Sequence, residues 1–499
     1  VPLDTAAAFW RREIAPRAAI FIDMADYFTA AREAMSVARR SVYFLNWAFD
    51  ADTPFDPQPG GGGPAADRFG ETLKRLAAEK PDLDIRVLCW DSAFPIAATQ
   101  NFFPLVDRRA FTGSRVRFVL DSKLPMGACH HQKMIVVDDA VAFCGGGDIG
   151  PDRWDTTAHL DDDPRRVKAR ADNRFFDSRH EVMALVDGPA ARALGEVFAA
   201  RWLRATGERV SEPPPAPADP WPSCVIPQMR QVQVGISRTM PLWRREPEVR
   251  EIEHLTLASI AAARSCIYME NQYFTSPLTA EALATRLAEP DGPEVVLVST
   301  QHSPSWFDQM TMDRTRGQFI GRLKAADTHG RLRVYAPVTT LGRTIIVHAK
   351  LAVIDDVLLR IGSANMNNRS TGFDSECDLT FQAVGDAAEA NRETIGAVRT
   401  RLVAHWLGCD EAKVADAQAR SGSLGGAIEG LRGEGLVRLR PLSPRPMGPV
   451  ASLIAAYHLG DPVTPYDSWR PWKRKAQLQK DIARLGAYWR PGVGAVVKA

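Results

Sequence analysis

Two short stretches of this chain carry the same reactive residue types at the same spacing. In the first, His131 and Lys133 are followed by Asp138; in the second, His348 and Lys350 are followed by Asp355. After six intervening residues each Asp leads into a glycine turn, Gly145-Gly146-Gly147-Asp148 or Gly362-Ser363-Ala364-Asn365. The copies lie 217 residues apart in a chain of 499. One residue separates His from Lys, so on a β-strand both side chains point to one face. The residues that follow, 134–137 and 351–354, are apolar and largely β-branched, as in a buried strand. An imidazole and an ammonium at the head of such a strand are costly to bury without a polar partner, and an anion is a fitting one.

These residues resemble the phospholipase D superfamily, whose signature H-x-K-x4-D-x6-G-S-x-N occurs twice per active site. The second copy matches every fixed position. The first has Gly146 for Ser and Asp148 for Asn, an ending similar to that of eukaryotic-type phospholipases D. Other matches to that branch are His130 beside His131, the run Arg153-Trp154-Asp155-Thr156, the strand Met269-Glu270-Asn271-Gln272-Tyr273-Phe274, and a segment holding Arg369-Ser370 and Asp374-Ser375-Glu376. The resemblance covers roughly residues 30–410.

A phosphodiester repels nucleophiles, and covalent catalysis splits its cleavage into two easier displacements. One histidine starts neutral and attacks phosphorus; the other starts protonated and gives its proton to the leaving alcohol. The resemblance implies His131 as nucleophile and His348 as general acid, then base. Lys133 and Lys350 neutralise the equatorial oxygens, and Asn365 hydrogen-bonds to them. Ser363, the turn residues Gly145, Gly146 and Asp148, and Trp154 are assigned to substrate binding. Glu181 and Glu376 occupy similar places after the two motifs and are read as the carboxylates that orient the histidines. Asp138 and Asp355 are expected to secure turns. No metal and no cofactor is expected, because the reading contains no ligand cluster.

Strands and helices alternate twice around these groups. In the first half, helical spacing covers residues 21–40, 69–79 and 189–204, with strands at 41–47, 83–90, 115–120 and 181–186. Residues 156–178 read as a long surface loop near the site mouth. In the second half, helices are expected at 252–264 and 387–406, and strands at 266–274, 294–299, 332–336 and 378–381. The set Ala38-Arg39, Tyr43, Asn46 recurs at the same spacing as Ala263-Arg264, Tyr268, Asn271. The fold class is therefore α/β: a duplicated phospholipase D-like sandwich with a mostly parallel sheet in each half. The resemblance places the two sheets side by side, with the site at their junction. The halves are residues 1–210 and 225–410, joined by a Pro-rich linker at 211–224, with an extension at 411–499. Trp469-Arg470-Pro471-Trp472-Lys473 in that extension suits either a membrane interface or a segment folded onto the body, the second being favoured.

Composition narrows the classes. The chain is 45% apolar and 24% charged with a net charge of +2, which gives no sign of a dedicated nucleic-acid binder. Seven cysteines without a C-x-x-C pair read as buried thiols rather than a disulfide framework or zinc ribbon. No apolar run is long enough to span a bilayer. The expected partners are a phospholipid at a membrane surface and a water or alcohol acceptor, with no nucleic-acid partner and the chain acting as a monomer. The expected location is cytoplasmic or peripheral to a membrane, with secretion left open. The expected activity is cleavage of a glycerophospholipid head group through a phosphohistidine, giving phosphatidic acid or a phosphatidyl alcohol. The competing readings are phosphatidyl transfer of the cardiolipin synthase type, a nuclease of the same superfamily and, last, a non-catalytic membrane scaffold.

Overall fold

The computed structural model describes residues 3–60, 64, 67–92, 103–166, 175–211, 219–444 and 448–485. The prolines at 213–217, read as a linker, and residues 167–174 of the long loop lie outside these.

The first half contains β1 (Arg11–Ile22), β2 (Ser41–Asn46), β3 (Asp84–Trp90), β4 (Arg117–Asp121), β5 (Met134–Val137), β6 (Val141–Gly145), β7 (Arg179–His180) and β8 (Val182–Asp187). The second contains β9 (Met229–Met240), β10 (Val249–Arg250), β11 (Cys266–Asn271), β12 (Glu294–Val298), β13 (Leu332–Pro337), β14 (Ile346–Val347), β15 (Lys350–Ile354), β16 (Leu358–Gly362) and β17 (Glu376–Gln382), and β18 (Leu439–Pro441) follows. The two halves form one continuous sheet in the order β18-β13-β12-β11-β15-β16-β17-β9-β1-β8-β6-β5-β2-β3-β4. Read outward from the centre, the orders match strand for strand, and β18 is an addition at one edge.

The sheet differs from the expected one in two respects. In each half only the outer three strands, β2-β3-β4 or β11-β12-β13, are parallel; the inner pairings are antiparallel. The parallel strands are those joined by helices, whereas β5 turns directly into β6, and β15 into β16. The central strands β1 and β9, which pair with each other and join the halves, were not anticipated. Charged residues and Pro16 hide the pattern of β1. The pairing passes over Pro16, which has no N–H to give, and Gln231 opposite takes a φ of 47°.

Strand residues alternate between two helical layers, which makes the sandwich. Tyr43 and Leu45 face the layer holding Phe198, Trp202, Leu402 and Trp406 on helices Gly188–Thr206 and Ala388–Leu407. Val42 and Phe44 face helices Met24–Val37 and Phe69–Glu79. Ile267 and Met269 of the second half meet helices Glu251–Ala262, Pro277–Ala288 and Trp306–Ala326 in the same way.

The segment after 410 folds onto the second half. Val414, Ile428 and Leu431 enter its core, and helix Pro449–Ala456 packs on Trp306–Ala326. Helix Pro471–Leu485 buries Arg474 and Leu478 while Trp469 and Trp472 stay exposed. All seven cysteines are free thiols. Among the described residues no helix is long and apolar enough to cross a membrane.

Candidate active site

The Asp of each motif sets the frame. Asp138 accepts hydrogen bonds from the backbone N–H groups of Arg39, Arg40 and Ser41 at 2.7–2.8 Å. Asp355 does the same with Arg264, Ser265 and Cys266 at 2.6–2.9 Å. The recurring Ala-Arg pairs thus mark the starts of β2 and β11. Asp138-Asp139 and Asp355-Asp356 also take positive φ, between 49° and 56°, and turn each motif strand back on itself. These anchors fix β5 against β2 and β15 against β11, which places His and Lys at the opposite end of each motif strand.

The residues before each Lys cross to the other half. His131 N–H donates to Ser375 O at 2.9 Å, and Ser375 N–H donates to Cys129 O at 3.0 Å. In the mirror arrangement β14 pairs with β7, and His348 N–H donates to His180 O at 2.8 Å. The next residue on each accepting segment is a glutamate. Consequently each histidine meets the glutamate of the opposite half: His131 Nδ1 lies 2.9 Å from Glu376 Oε2, and His348 Nδ1 lies 2.7 Å from Glu181 Oε1. The first contact is a well-aligned hydrogen bond. The second is as short but poorly aligned, so that neither the carboxylate oxygens of Glu181 nor His348 Nδ1 make a hydrogen bond of good geometry. In both, Nδ1 faces the carboxyl group and Nε2 is left for chemistry.

Lys133 and Lys350 each donate from Nζ to the carbonyl of the histidine two residues earlier. Lys133 also lies 3.4 Å from Asp148 Oδ2. Burial, helped by the neighbouring Lys133, holds Lys350 down to about 7. Burial and the two lysines push His131 well below its ordinary value; burial, Lys350 and Arg153 do the same to His348. Burial raises Glu376 to about 8 against the opposing pull of Lys133 and of hydrogen bonds from Ser363 and Ser370. Cationic groups held short of protonation in a nearly dry site are poised to gain from an anion that enters.

A family model described as "Cardiolipin synthase, PLD-like domain" matches residues 256–395. "Phospholipase D A" of Dictyostelium discoideum is 23% identical over 424 residues, covering 72% of this chain and 32% of that one. "Cardiolipin synthase A" of Cronobacter sakazakii is 27% identical over 357 residues, covering 69% of this chain and 63% of the other. The chain thus spans about a third of the first relative's length and less than two thirds of the second's. The phosphatidylserine synthase structure of Haemophilus influenzae Rd KW20 aligns over 94% of both chains at 13% identity, with a TM-score of 0.49.

The chain is thus similar to proteins of the phospholipase D superfamily, through a PLD-like family model over residues 256–395 and through relatives named phospholipase D and cardiolipin synthase.

Several residues that the sequence assigns to substrate have other partners. Ser363 is fully buried; its hydroxyl donates to Glu376 Oε2 at 2.6 Å and accepts from Cys377 N–H. Asp148 accepts from the N–H groups of Trp47 and Ala48 and faces Lys133, so it holds a cation and a backbone corner rather than an anionic substrate. The N–H groups of Gly145 and Gly146 donate to Lys133 O and Val182 O, which removes them as donors to a bound phosphate. Gly146 matters through its missing side chain, since a Cβ there would come within 3.2–3.3 Å of Glu181, His348 and Lys350. Trp154 is a core residue, with Arg165 over its ring. Asn365 stays uncommitted: its side-chain oxygen has no hydrogen-bond partner.

Ser370 and Arg153 enter the sequence reading only as parts of motifs, yet both touch the glutamates that face the histidines. Ser370 Oγ donates to Glu376 Oε1 at 2.7 Å, and Arg153 Nη1 lies 3.8 Å from Glu181 Oε1. They stand 217 residues apart, like the histidines, so that offset was the signal for them. Glu181 and Glu376 are only 195 apart, because the first half carries 22 more residues between turn and glutamate. That loop is not merely superficial: His159, Asp163 and Arg166 within it are buried. Together with Asp23, His180 and His405, His159 also forms a cluster of groups that could hold a metal ion, which the sequence reading, with no metal expected, does not contain.

Proposed function

We propose that this protein cleaves a phosphodiester by two successive displacements through a phosphohistidine, and that its substrate is a glycerophospholipid. The observation that carries the reading is the pair of histidines, each with Nδ1 against a buried glutamate of the opposite half and a lysine beside it. His131 is the proposed nucleophile. Burial and the two lysines keep its ring neutral, and with Nδ1 against Glu376 Oε2 the lone pair on Nε2 is the one that attacks. His348 is the proposed acid for the leaving alcohol and the base for the acceptor. Lys133, Lys350 and Asn365 are the proposed contacts for the phosphoryl oxygens.

Lipid is proposed over nucleic acid because the matched family model and the relatives are named for lipid chemistry and because the net charge is near zero. Hydrolysis and transfer share the covalent intermediate and differ only in the acceptor. Transfer to the hydroxyl of a second lipid, as in a cardiolipin synthase, is the second reading, favoured by the description of the matched family model. To test both, the chain is incubated with mixed phospholipids and single-stranded DNA, with and without ethanol. Mass spectrometry should find phosphatidic acid, phosphatidylethanol when ethanol is present, and intact DNA. Cardiolipin as the main product with phosphatidylglycerol would favour the second reading; cleaved DNA with untouched lipid would overturn both.

A further inference from the structure

A second cluster of imidazoles lies behind the reacting pair. Asp23 precedes helix Met24–Val37, His159 sits in the long loop, His180 ends β7, and His405 lies in the last turn of helix Ala388–Leu407. The side chains of Asp23, His159 and His405 are 1%, 0% and 5% exposed, so water does not solvate them. His159 Nε2 is 3.1 Å from His405 Nε2 and 3.5 Å from Asp23 Oδ2, and His405 Nε2 is 3.9 Å from the same oxygen.

The outer atoms of the cluster are held so that the inner ones converge. His159 Nδ1 lies 2.8 Å from Asp155 Oδ2, which places the proton on Nδ1 and a lone pair on Nε2. His180 Nδ1 lies 2.8 Å from Asp23 Oδ1, and its Nε2 lies 2.8 Å from Glu270 Oε2. The other oxygen of Asp23, Oδ2, has no hydrogen-bond partner although it is buried. A carboxylate oxygen left this way is costly unless something positive stands beside it.

We propose that Asp23 Oδ2, His159 Nε2 and His405 Nε2 bind a divalent transition-metal ion, zinc by their chemistry, at a structural site separate from the reacting histidines. The point equidistant from three atoms so spaced lies about 2.0 Å from each. Zinc bonds to imidazole nitrogen and carboxylate oxygen are about 2.0–2.2 Å long. Calcium and magnesium take oxygen ligands and do not suit two imidazoles. His180, with both nitrogens against carboxylates, holds Asp23 in place and does not bind the ion, so the fourth position falls to a water or other small ligand.

The site ties the halves together beneath Glu181. Asp23 N–H donates to Glu181 O at 2.8 Å, and Glu181 N–H donates to Asp23 Oδ1 at 3.3 Å. An ion held by Asp23, by His159 of the first half and by His405 of the second therefore fixes the backbone of the glutamate that faces His348.

The test uses the full chain. Metal content is measured by mass spectrometry after dialysis against metal-free buffer, and melting is followed after chelation and after return of zinc. The expected results are about one zinc per chain, a lower melting temperature after chelation, and its recovery with zinc. Cobalt added to the chelated chain should give the visible absorption of a four-coordinate site. Substitutions His159→Ala and His405→Gln should each abolish that absorption. If either variant fails to fold, zinc and cobalt titration of the chelated wild-type chain decides. A wild-type chain that retains no zinc, melts alike with and without it, and gives no cobalt spectrum would hold a hydrogen-bonded cluster only. Unchanged metal binding in folded His159→Ala and His405→Gln would likewise overturn the assignment.

Discussion

At matching positions around their glutamates the two halves of the site place different groups. Glu376 accepts hydrogen bonds from two hydroxyls, Ser363 and Ser370. The corresponding positions beside Glu181 are Gly146 and Arg153, an open space and a guanidinium. The lysines differ in the opposite sense: Lys133 has Asp148 beside it, whereas the matching position in the second half is Asn365, and Lys350 is held down to about 7. A duplicated frame with different polar neighbours can give two identical histidines different tasks. Each half also lends its glutamate to the other, so neither half holds both the motif histidine and the glutamate that faces it.

The largest effect comes from the histidines themselves. His131→Ala and His348→Ala should each lower turnover of a natural phosphodiester by at least on the order of 10²–10⁴. A substrate with a good leaving group separates them, since it needs no acid. His348→Ala should still release one equivalent of nitrophenol in a burst, and His131→Ala should release none. The reverse pattern would exchange the two roles.

The glutamates should differ in stability. Glu181→Gln leaves Arg153 with less charge compensation in a buried setting and should cost about 1–3 kcal/mol. Glu376→Gln should cost less at pH 7, because Glu376 already retains its proton to about pH 8. A carboxyl raised in the folded state from 4.5 to about 8 stabilises fully below pH 4.5 and loses that contribution as pH rises through 8. Denaturant unfolding of the wild type should therefore show a decline between pH 5 and 8 that Glu376→Gln lacks. Equal costs and parallel pH profiles would mean the two glutamates are alike.

The lysines give a smaller effect, read as KM. An anionic substrate favours charged Lys350, which loses its proton as pH rises through about 7, so KM should rise above that pH. Asp148→Asn makes the first half resemble the second and removes the carboxylate 3.4 Å from Lys133 that helps to hold its side chain in place. It should raise KM at pH 7 by up to roughly tenfold. An unchanged KM would detach Asp148 from Lys133.

Smallest is Gly146→Ser, which supplies the hydroxyl that Ser363 gives Glu376. The neighbours at 3.2–3.3 Å must yield by a few tenths of an ångström. The variant should keep its fold and change kcat within about fivefold; a large loss would show that the open space itself is required.

Much of this was legible in the chain, and the reasons are local. Alternation and β-branching marked the motif strands. Recurrence at an offset of 217 marked the duplication, and the matching Ala-Arg and Asp residues marked the tops of β2 and β11. Strands β1 and β9 were not legible, because charged and polar residues and Pro16 break up any apolar pattern, and their place at the centre of the sheet rests on a pairing between the two halves. Ser363, Asp148 and Trp154 were placed on substrate because polar or aromatic residues beside a motif are candidates for contact. Burial instead turned each towards another part of the protein.

The sequence by itself determined the two His-Lys pairs, their strand positions, the twofold repetition and the α/β class. All of these follow from spacings of a few residues or from one constant offset. Only the tertiary structure decided which glutamate serves which histidine, because that depends on β7 meeting β14 and on His130 meeting Ser375, from opposite halves. It alone gathered Asp23, His159, His180 and His405, whose positions in the chain span more than 380 residues. Spacing reports which side chains share a face of one element. Partners brought in by separate elements are chosen by how the sheet closes and what it buries, and no local pattern records that choice.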